Sequence, residues 1–258
     1  MIERKSSREI AKQAQAGAIV AETLAILRDE VRPGVTTAQL DRVAERYIRR
    51  RGGAPTFKGY HGFPASICTS PNDMIVHGIP GPYELRDGDV LSIDVGVTFR
   101  GFVGDSAVTF AIGDVAPEAR RLLETCQGAL HATIEACHVG NRLSDLGHAC
   151  QTHVEENGFG VVRELVGHGV GRRMHEDPQI PNYGPPARGP ELREGMVFAI
   201  EPMITAGAFT IRVADDNWSI YTTDGSLAAH FEHTVAITAD GPRILTLADG
   251  ASVVDAPV

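Results

Sequence analysis

A block of eleven residues occurs twice, and this repetition constrains the fold more than any other feature of the chain. Glu84 to Asp94 (ELRDGDVLSID) aligns without gaps on Glu191 to Glu201 (ELREGMVFAIE), with identity at Glu, Leu, Arg, Gly, Val and Ile. Leu91, Ile93, Val95 and Val97 alternate with smaller or polar residues, the period of a strand with one buried face. Asp94 therefore falls inside a strand, where a lone ionised carboxylate is costly to desolvate and needs a partner; a bound cation is the strongest one available. Gly101 and Gly104 supply turn chemistry, and residues 106–112 read as a return strand that brings Asp105 back beside Asp94. In the second copy Glu201 stands at the point of Asp94, and another acid, Glu232, opens the apolar run Thr234-Val235-Ala236-Ile237. The pattern is an internal duplication, two related halves each giving two inward carboxylates, rather than a short-period solenoid.

Composition narrows the class. A chain of 258 residues, 43% hydrophobic and 22% charged, is long enough to bury roughly three quarters of its unfolded surface. No apolar run is long enough to span a bilayer, and Met1-Ile2-Glu3-Arg4-Lys5 leads into an amphipathic stretch rather than a signal-peptide core, so a cytoplasmic, membrane-free protein is expected. Cys68, Cys126, Cys137 and Cys150 form no C-x-x-C pair and read as reduced, mostly core residues. The net charge of −9 argues against direct nucleic-acid readout. Arg49-Arg50-Arg51 with Lys58 reads as a solvated helix end.

Taken in order, residues 6–31 carry Ile10, Ala14, Ala18, Ala21, Ala25 and Leu27 at helical spacing. Thr36 and Gln39 form a capping box for a second helix, with Leu40, Val43, Tyr47 and Ile48 on one face and Gly52-Gly53 as its stop. Residues 54–82 are irregular and rich in Gly, Pro and aromatics, the kind of stretch in which sites are found. Pro117 opens a third helix with Leu122, Leu123, Cys126, Leu130 and Ile134 inward, and a fourth runs from about Ser144 to Asn157-Gly158. His131, His138, His148 and His153 are placed on these helices as structural residues. Strands and turns follow from Val161 to Leu247. The order predicts an α+β protein with a pseudo-two-fold duplicated antiparallel sheet and helices on one side. Residues 1–248 are expected to form a single domain, with halves of about 1–113 and 114–248, and residues 249–258 a tail.

Gly167-His168-Gly169-Val170-Gly171 sets a histidine between glycines, which let other atoms approach it, and Met174-His175-Glu176-Asp177-Pro178 follows. Taken singly, a histidine is more often structural, and acids near strand ends often only pair with arginine or cap turns. Together the four acids and His168 form an oxygen-rich set with one nitrogen, suited to a pair of hard or borderline divalent ions. Bridging carboxylates would let such ions sit close together. H-E-x-x-H, a dinucleotide fingerprint and a G-x-S-x-G elbow are all missing.

The segments Tyr60-His61-Gly62-Phe63-Pro64, Val76-His77-Gly78-Ile79-Pro80, Ile93-Asp94-Val95, Gly104-Asp105-Ser106, Gly167 to Gly171, His175 to Pro178, Ile200-Glu201-Pro202-Met203 and Phe231-Glu232-His233-Thr234 closely resemble, in order and spacing, the type I methionine aminopeptidases. The resemblance implies the pita-bread fold and removal of initiator methionine from nascent chains with a small second residue. It implies Asp105, His168, Glu201 and Glu232 on one metal and Asp94, Asp105 and Glu232 on the other, with a bridging hydroxide attacking the scissile carbonyl. Co, Mn, Fe, Zn and Ni all suit these ligands. Glu201 is implied as proton shuttle, His175 as a donor to the carbonyl side, and His77 as a partner of the scissile nitrogen or second residue. Phe57, Tyr60, Phe63, Cys68, Met174 and Trp218 are implied to line the methionine pocket, Trp218 being nearly as well explained by core packing. Met174 stands where relatives commonly have Phe, and Phe57 where some have Cys, departures that reshape the pocket rather than the metal chemistry. The short interval between Glu201 and Glu232 leaves no room for the type II helical insertion, and no N-terminal zinc-finger extension is expected. Nascent N-termini at the ribosome are the implied partners of a monomeric enzyme. A proline-specific aminopeptidase, which would usually carry a large N-terminal domain that is not expected here, and a metal-free binding module, which would have lost its ligands, are the rival readings.

Overall fold

A computed structural model describes residues 2–247; the tail expected at 249–258 lies outside the described residues. Among the described residues four α-helices form, α1 (Ser7–Glu30), α2 (Thr37–Arg50), α3 (Pro117–Glu135) and α4 (Leu143–Glu156). Capping boxes start the first two, Ser6 with Glu9 and the expected Thr36 with Gln39, each worth about 1 kcal/mol. Gly52, at φ 76°, follows α2 in the left-handed region that glycine enters without penalty. Helix α1 buries a stripe different from the one its alanines suggest: Gln13, Ala16, Gly17, Val20, Thr23, Leu24 and Leu27 face inward, whereas Ala25 is exposed. The small residues on that stripe let the helix lie directly on the sheet, since a side chain on Gly17 would strike the Leu245 carbonyl and one on Gly104 the Gly17 backbone.

Among the described residues fifteen strands occur in chain order: β1 (Ala54–Pro55), β2 (Cys68–Pro71), β3 (Met74–Val76), β4 (Val90–Phe99), β5 (Phe102–Ala111), β6 (Gly160–Val161), β7 (Val166–Gly169), β8 (Glu176–Pro181), β9 (Val197–Ile200), β10 (Met203–Thr205), β11 (Ile211–Val213), β12 (Ile220–Thr222), β13 (Ala228–His230), β14 (His233–Thr238) and β15 (Gly241–Ile244). All ladders are antiparallel, with β4 flanked by β1, β2 and β5, and with β15, β14, β9, β7 and β8 side by side. The first hairpin is longer than its sequence suggests. Its turn is Arg100-Gly101, both at positive φ, and Gly104 lies inside β5. The irregular stretch 54–82 likewise contains three short strands, one pairing Cys68 with Asp94. His138 lies beyond the end of α3, not on it.

The duplicated block folds the same way twice. Gly88 donates its N–H to Ile112 and Ile112 donates to Asp89; Gly195 donates to Ile237 and Ile237 to Met196. Thr36, ahead of α2, bridges to Glu84 as Arg142, ahead of α4, bridges to Glu191. With Ile112 matching Ile237, counting back along the return arms matches Asp105 with His230 and Ala107 with Glu232. The ladders agree, because Gly96 faces Asp105 as Met203 faces His230. Two threonines repeat the relation across the join. Thr234 Oγ1 accepts from Asp105 N at 3.0 Å and donates to its carbonyl at 2.8 Å. Thr109 Oγ1 accepts from His230 N at 2.9 Å and donates to its carbonyl at 2.8 Å. The sequence alone suggests Asp105 and Glu232 as counterparts; the register shows that they are not.

One apolar core spans both halves, joining Leu91, Ile93 and Val95 of β4 to Ile19, Val20 and Leu24 of α1, Leu122 and Leu123 of α3, and Phe198 and Ile200 of β9. Each fully buried side chain of this kind contributes roughly 1.5–3 kcal/mol. The opposite face of β4 carries Ser92, Asp94 and Gly96, so the strand separates the core from the site.

Candidate metal centre and its pocket

Each acid reaches the centre by a different local device. Asp94 points off the non-core face of β4, and Asp105 comes from β5 as its diagonal neighbour. Glu201 follows β9 immediately before Pro202, which has no N–H to continue the ladder, and Glu232 fills the break between β13 and β14. His168 projects from β7, where Gly167 and Gly169 admit the Ala199 and Asp177 carbonyls so closely that any side chain would collide. Donor atoms of Asp105, His168 and Glu232 lie within 4.8 Å of one another. His168 Nε2 is 3.4 Å from Glu201 Oε1 and 3.8 Å from Asp105 Oδ2, while Asp94 lies diagonally across the hairpin from Asp105.

The centre consists of acceptors facing acceptors. His168 Nδ1 is 3.0 Å from the Gly169 carbonyl, a bond that only a protonated Nδ1 makes, so the Nε2 lone pair faces the acids. Burial, with His175 nearby, lowers the His168 pKa to about 4. Burial raises Asp94 to about 7 despite help from the Val95 N–H and Asp105, and pushes Asp105, Glu201 and Glu232 well above the carboxylate range, with the neighbouring acids adding to the effect. Asp94 Oδ1, Asp105 Oδ1 and Glu232 Oε1 are buried without a hydrogen-bond partner, and among the described residues no lysine or arginine pairs with any of these acids. Orphaned oxygens around a neutral imidazole are what divalent cations would satisfy, so the donor set fits them.

A cavity of about 160 Å³ opens beside this centre. Phe57, Tyr60, Phe63, Cys68, Met174 and Trp218, all expected there, line it together with His77 and His175. Trp218 stacks edge-on against Phe63 with ring centroids 5.1 Å apart, and Phe63 against Phe57 at 6.5 Å, giving soft aromatic walls. Burial, then the charge of Asp94, raises the Cys68 pKa, so its thiol stays protonated and is no thiolate ligand. His77 is half-buried in a left-handed backbone conformation, φ 60°, with its pKa lowered to about 4 by desolvation and by His175. Tyr60 Oη lies 2.7 Å from His175 Nδ1, turning the other ring nitrogen of His175 to the cavity. The loop bearing His175 is tied to the N-terminal segment by a buried pair, Lys5 Nζ to Glu176 Oε2 at 2.5 Å. Sequence reasoning missed Val76, Leu165, Val166, Met203 and His230 of the lining. The apolar ones carry no chemical signal, and His230 becomes visible only through the hairpin register.

Residues 11–239 match the model of the metallopeptidase family M24. The chain belongs to that family. Within M24 it is 51% identical to the methionine aminopeptidase of Clostridium perfringens over 96% of this chain and 99% of that one. The crystal structure of methionine aminopeptidase from Thermotoga maritima superposes with a TM-score of 0.94 at 42% identity, covering 96% of this chain and 100% of that one. The prolidase from Pyrococcus furiosus shares the fold, with a TM-score of 0.77 at 24% identity, but this chain covers only 65% of it. The pita-bread fold expected from the sequence is therefore the fold of this M24 member. The four cysteines are free and buried, as expected. The Arg49-Arg50-Arg51 stretch is a helix end paired with acids, Arg49 and Lys58 each reaching Glu45 at 2.8 Å and Arg51 pairing with Glu22. No helix among the described residues is long and apolar enough to cross a membrane.

Proposed function

We propose that this M24 enzyme is a metal-dependent methionyl aminopeptidase, removing the first methionine from peptides and nascent proteins whose second residue is small. The observation that carries the reading is the adjacency of an acceptor-only donor set and an aromatic, thioether-lined cavity: one suits divalent cations, the other a flexible apolar side chain. A cavity of this volume is on the scale of ~150 Å³ sites that take up benzene.

Asp94, Asp105 and Glu232 would hold one cation and Asp105, His168, Glu201 and Glu232 a second; Co, Mn, Fe, Zn and Ni would all be compatible with this ligand set. When bound, such ions acidify water and polarise the scissile carbonyl. The chain's own groups do the rest. Glu201 carries a proton from the attacking water to the departing amine. His175, oriented by Tyr60, donates to the carbonyl oxygen as it gains charge, and His77 holds the scissile nitrogen or the second residue. Neutral histidines suit both tasks, and burial keeps His77 neutral. We read residues 1–248 as one catalytic unit of two related halves, acting as a cytoplasmic monomer on nascent N-termini at the ribosome without reading nucleic acid.

Chelator-treated protein should release free Met from Met-Gly-Met when Mn²⁺ or Co²⁺ is restored, and little from a bulky-second-residue analogue. Cleavage confined to Xaa-Pro peptides would favour the proline-specific rival, and absence of turnover with every divalent ion would defeat the enzyme reading.

A further inference from the structure

His230 is buried, 2% exposed, and lines the cavity, yet neither of its ring nitrogens has a hydrogen-bond partner. Leaving a buried polar group unpaired costs about 1–3 kcal/mol, so native structures rarely do so without a use for the group. Its place in the fold is specific. By register His230 is the two-fold counterpart of Asp105, held by Thr109 as Asp105 is held by Thr234. The side chain thus projects into the centre from the second half just as Asp105 does from the first.

What it meets there is Glu201. His230 Nε2 lies 3.7 Å from Glu201 Oε2, and the other oxygen, Oε1, lies 3.4 Å from His168 Nε2. Glu201 sits between two imidazoles, one for each carboxylate oxygen. His168 has committed its Nδ1 proton to Gly169 and presents a lone pair. No bond in the structure commits His230 to either tautomer, so its Nε2 is free to carry a proton.

We propose that His230 is a positioning residue for Glu201: its Nε2–H donates to Glu201 Oε2 in the metal-loaded protein, which reserves Oε1 for the cation shared with His168. The proposal rests on the metallopeptidase reading above. The gap is about 0.5 Å beyond an ordinary N–H···O bond, within reach of a slight turn of the carboxylate. Outer partners of this kind orient ligands and sharpen metal affinity. An imidazole at this position, where the first half carries a carboxylate, avoids adding a further negative charge to an already crowded centre.

The test compares the full chain with its His230→Gln and His230→Leu variants after chelation. Each is titrated calorimetrically with Mn²⁺, its metal-free melting is recorded, and kcat and KM for Met-Gly-Met are measured at saturating Mn²⁺. His230→Leu should bind Mn²⁺ roughly 10–100-fold more weakly and lose kcat more than KM, while its metal-free form melts no lower than the parent. His230→Gln, whose amide N–H can replace the donor, should recover most of the affinity. Parent-like Mn²⁺ affinity in a folded His230→Leu overturns the proposal, as does a folded His230→Gln as weak as the Leu variant. If His230→Leu fails to fold, His230→Gln decides alone: retained affinity supports the hydrogen bond, lost affinity overturns it. Failure of the parent protein to cleave the peptide would sink the peptidase reading separately, because the Mn²⁺ titration reads the His230 contact without turnover.

Discussion

The two halves begin from the same hairpin and use it differently. In the first, β4 and β5 are unbroken ten-residue strands whose ladder runs the whole length, and Asp94 and Asp105 sit inside it. In the second, both arms are broken, β9 from β10 by Glu201-Pro202 and β13 from β14 by Phe231-Glu232, and the acids occupy the breaks. The loops differ similarly. Gly78, after His77, is pinned locally, donating to Ser70 Oγ and accepting from the Thr69 N–H, whereas Glu176, after His175, is pinned from far along the chain by Lys5. The first half is an unbroken platform, and the second carries the departures that make the centre asymmetric: His168 as the sole nitrogen of the candidate ligand set, Glu232 where the first half has Ala107, and His230 where it has Asp105.

Removing the carboxylate charge from the platform should have the largest effect. Asp105→Asn is expected to lower Met release well beyond the ~100-fold cost of losing an outer partner, with metal uptake by calorimetry falling in parallel. Next comes the asymmetric half's donor: His175→Ala should lose about 10²–10³-fold in kcat while Mn²⁺ affinity is kept, a split that stopped-flow and titration separate. Cutting the distant tether by Lys5→Met strands a buried Glu176 carboxylate and should destabilise by about 3–5 kcal/mol, read by denaturant unfolding. Burial raises the Glu176 pKa, but the Lys5 ammonium and the Arg173 and Arg172 N–H groups outweigh it and hold the value below the ordinary range. This stabilisation is therefore present above the unfolded carboxylate pKa and lost as pH falls through the depressed one.

The platform's acid has the opposite sign. With Asp94 raised from 3.8 to about 7, the metal-free fold binds the proton more tightly than the unfolded chain, so metal-free stability should fall as pH rises from about 4 to about 7. Adding metal at ~1,000 times its Kd should restore about 4 kcal/mol at neutral pH, seen as a rise in Tm. A metal-free Tm that climbs over this pH range would contradict the cation-ready arrangement of the acids. The smallest effect is expected in the pocket wall, where Met174→Ala should raise KM for Met-Gly-Met roughly tenfold and leave metal affinity unchanged.

Much of this was legible in the residues. The repeated block, the cap at Thr36, the start of α3 at Pro117, the buried face of α3 and the candidate metal ligands can all be picked out from the sequence, because periodicity and helix starts are local and an acid inside an apolar strand demands a partner. The buried stripe of α1 was not legible, because which side of an alanine-rich helix faces inward depends on what packs against it. The three strands within residues 54–82 were hidden for the same reason, since Cys68 pairs with Asp94 only once β4 is in place.

The sequence by itself determined that two related halves would each deliver acids toward a common point, since a duplicated strand pattern can bury its apolar face in only a few ways. Only the tertiary structure decided which residues of those halves correspond, and so that His230 is the counterpart of Asp105. Strand register is set by the joint packing and hydrogen bonding of two arms, and a shift of two residues between Ala107 and Asp105 preserves the face and is invisible in the alternation of the chain.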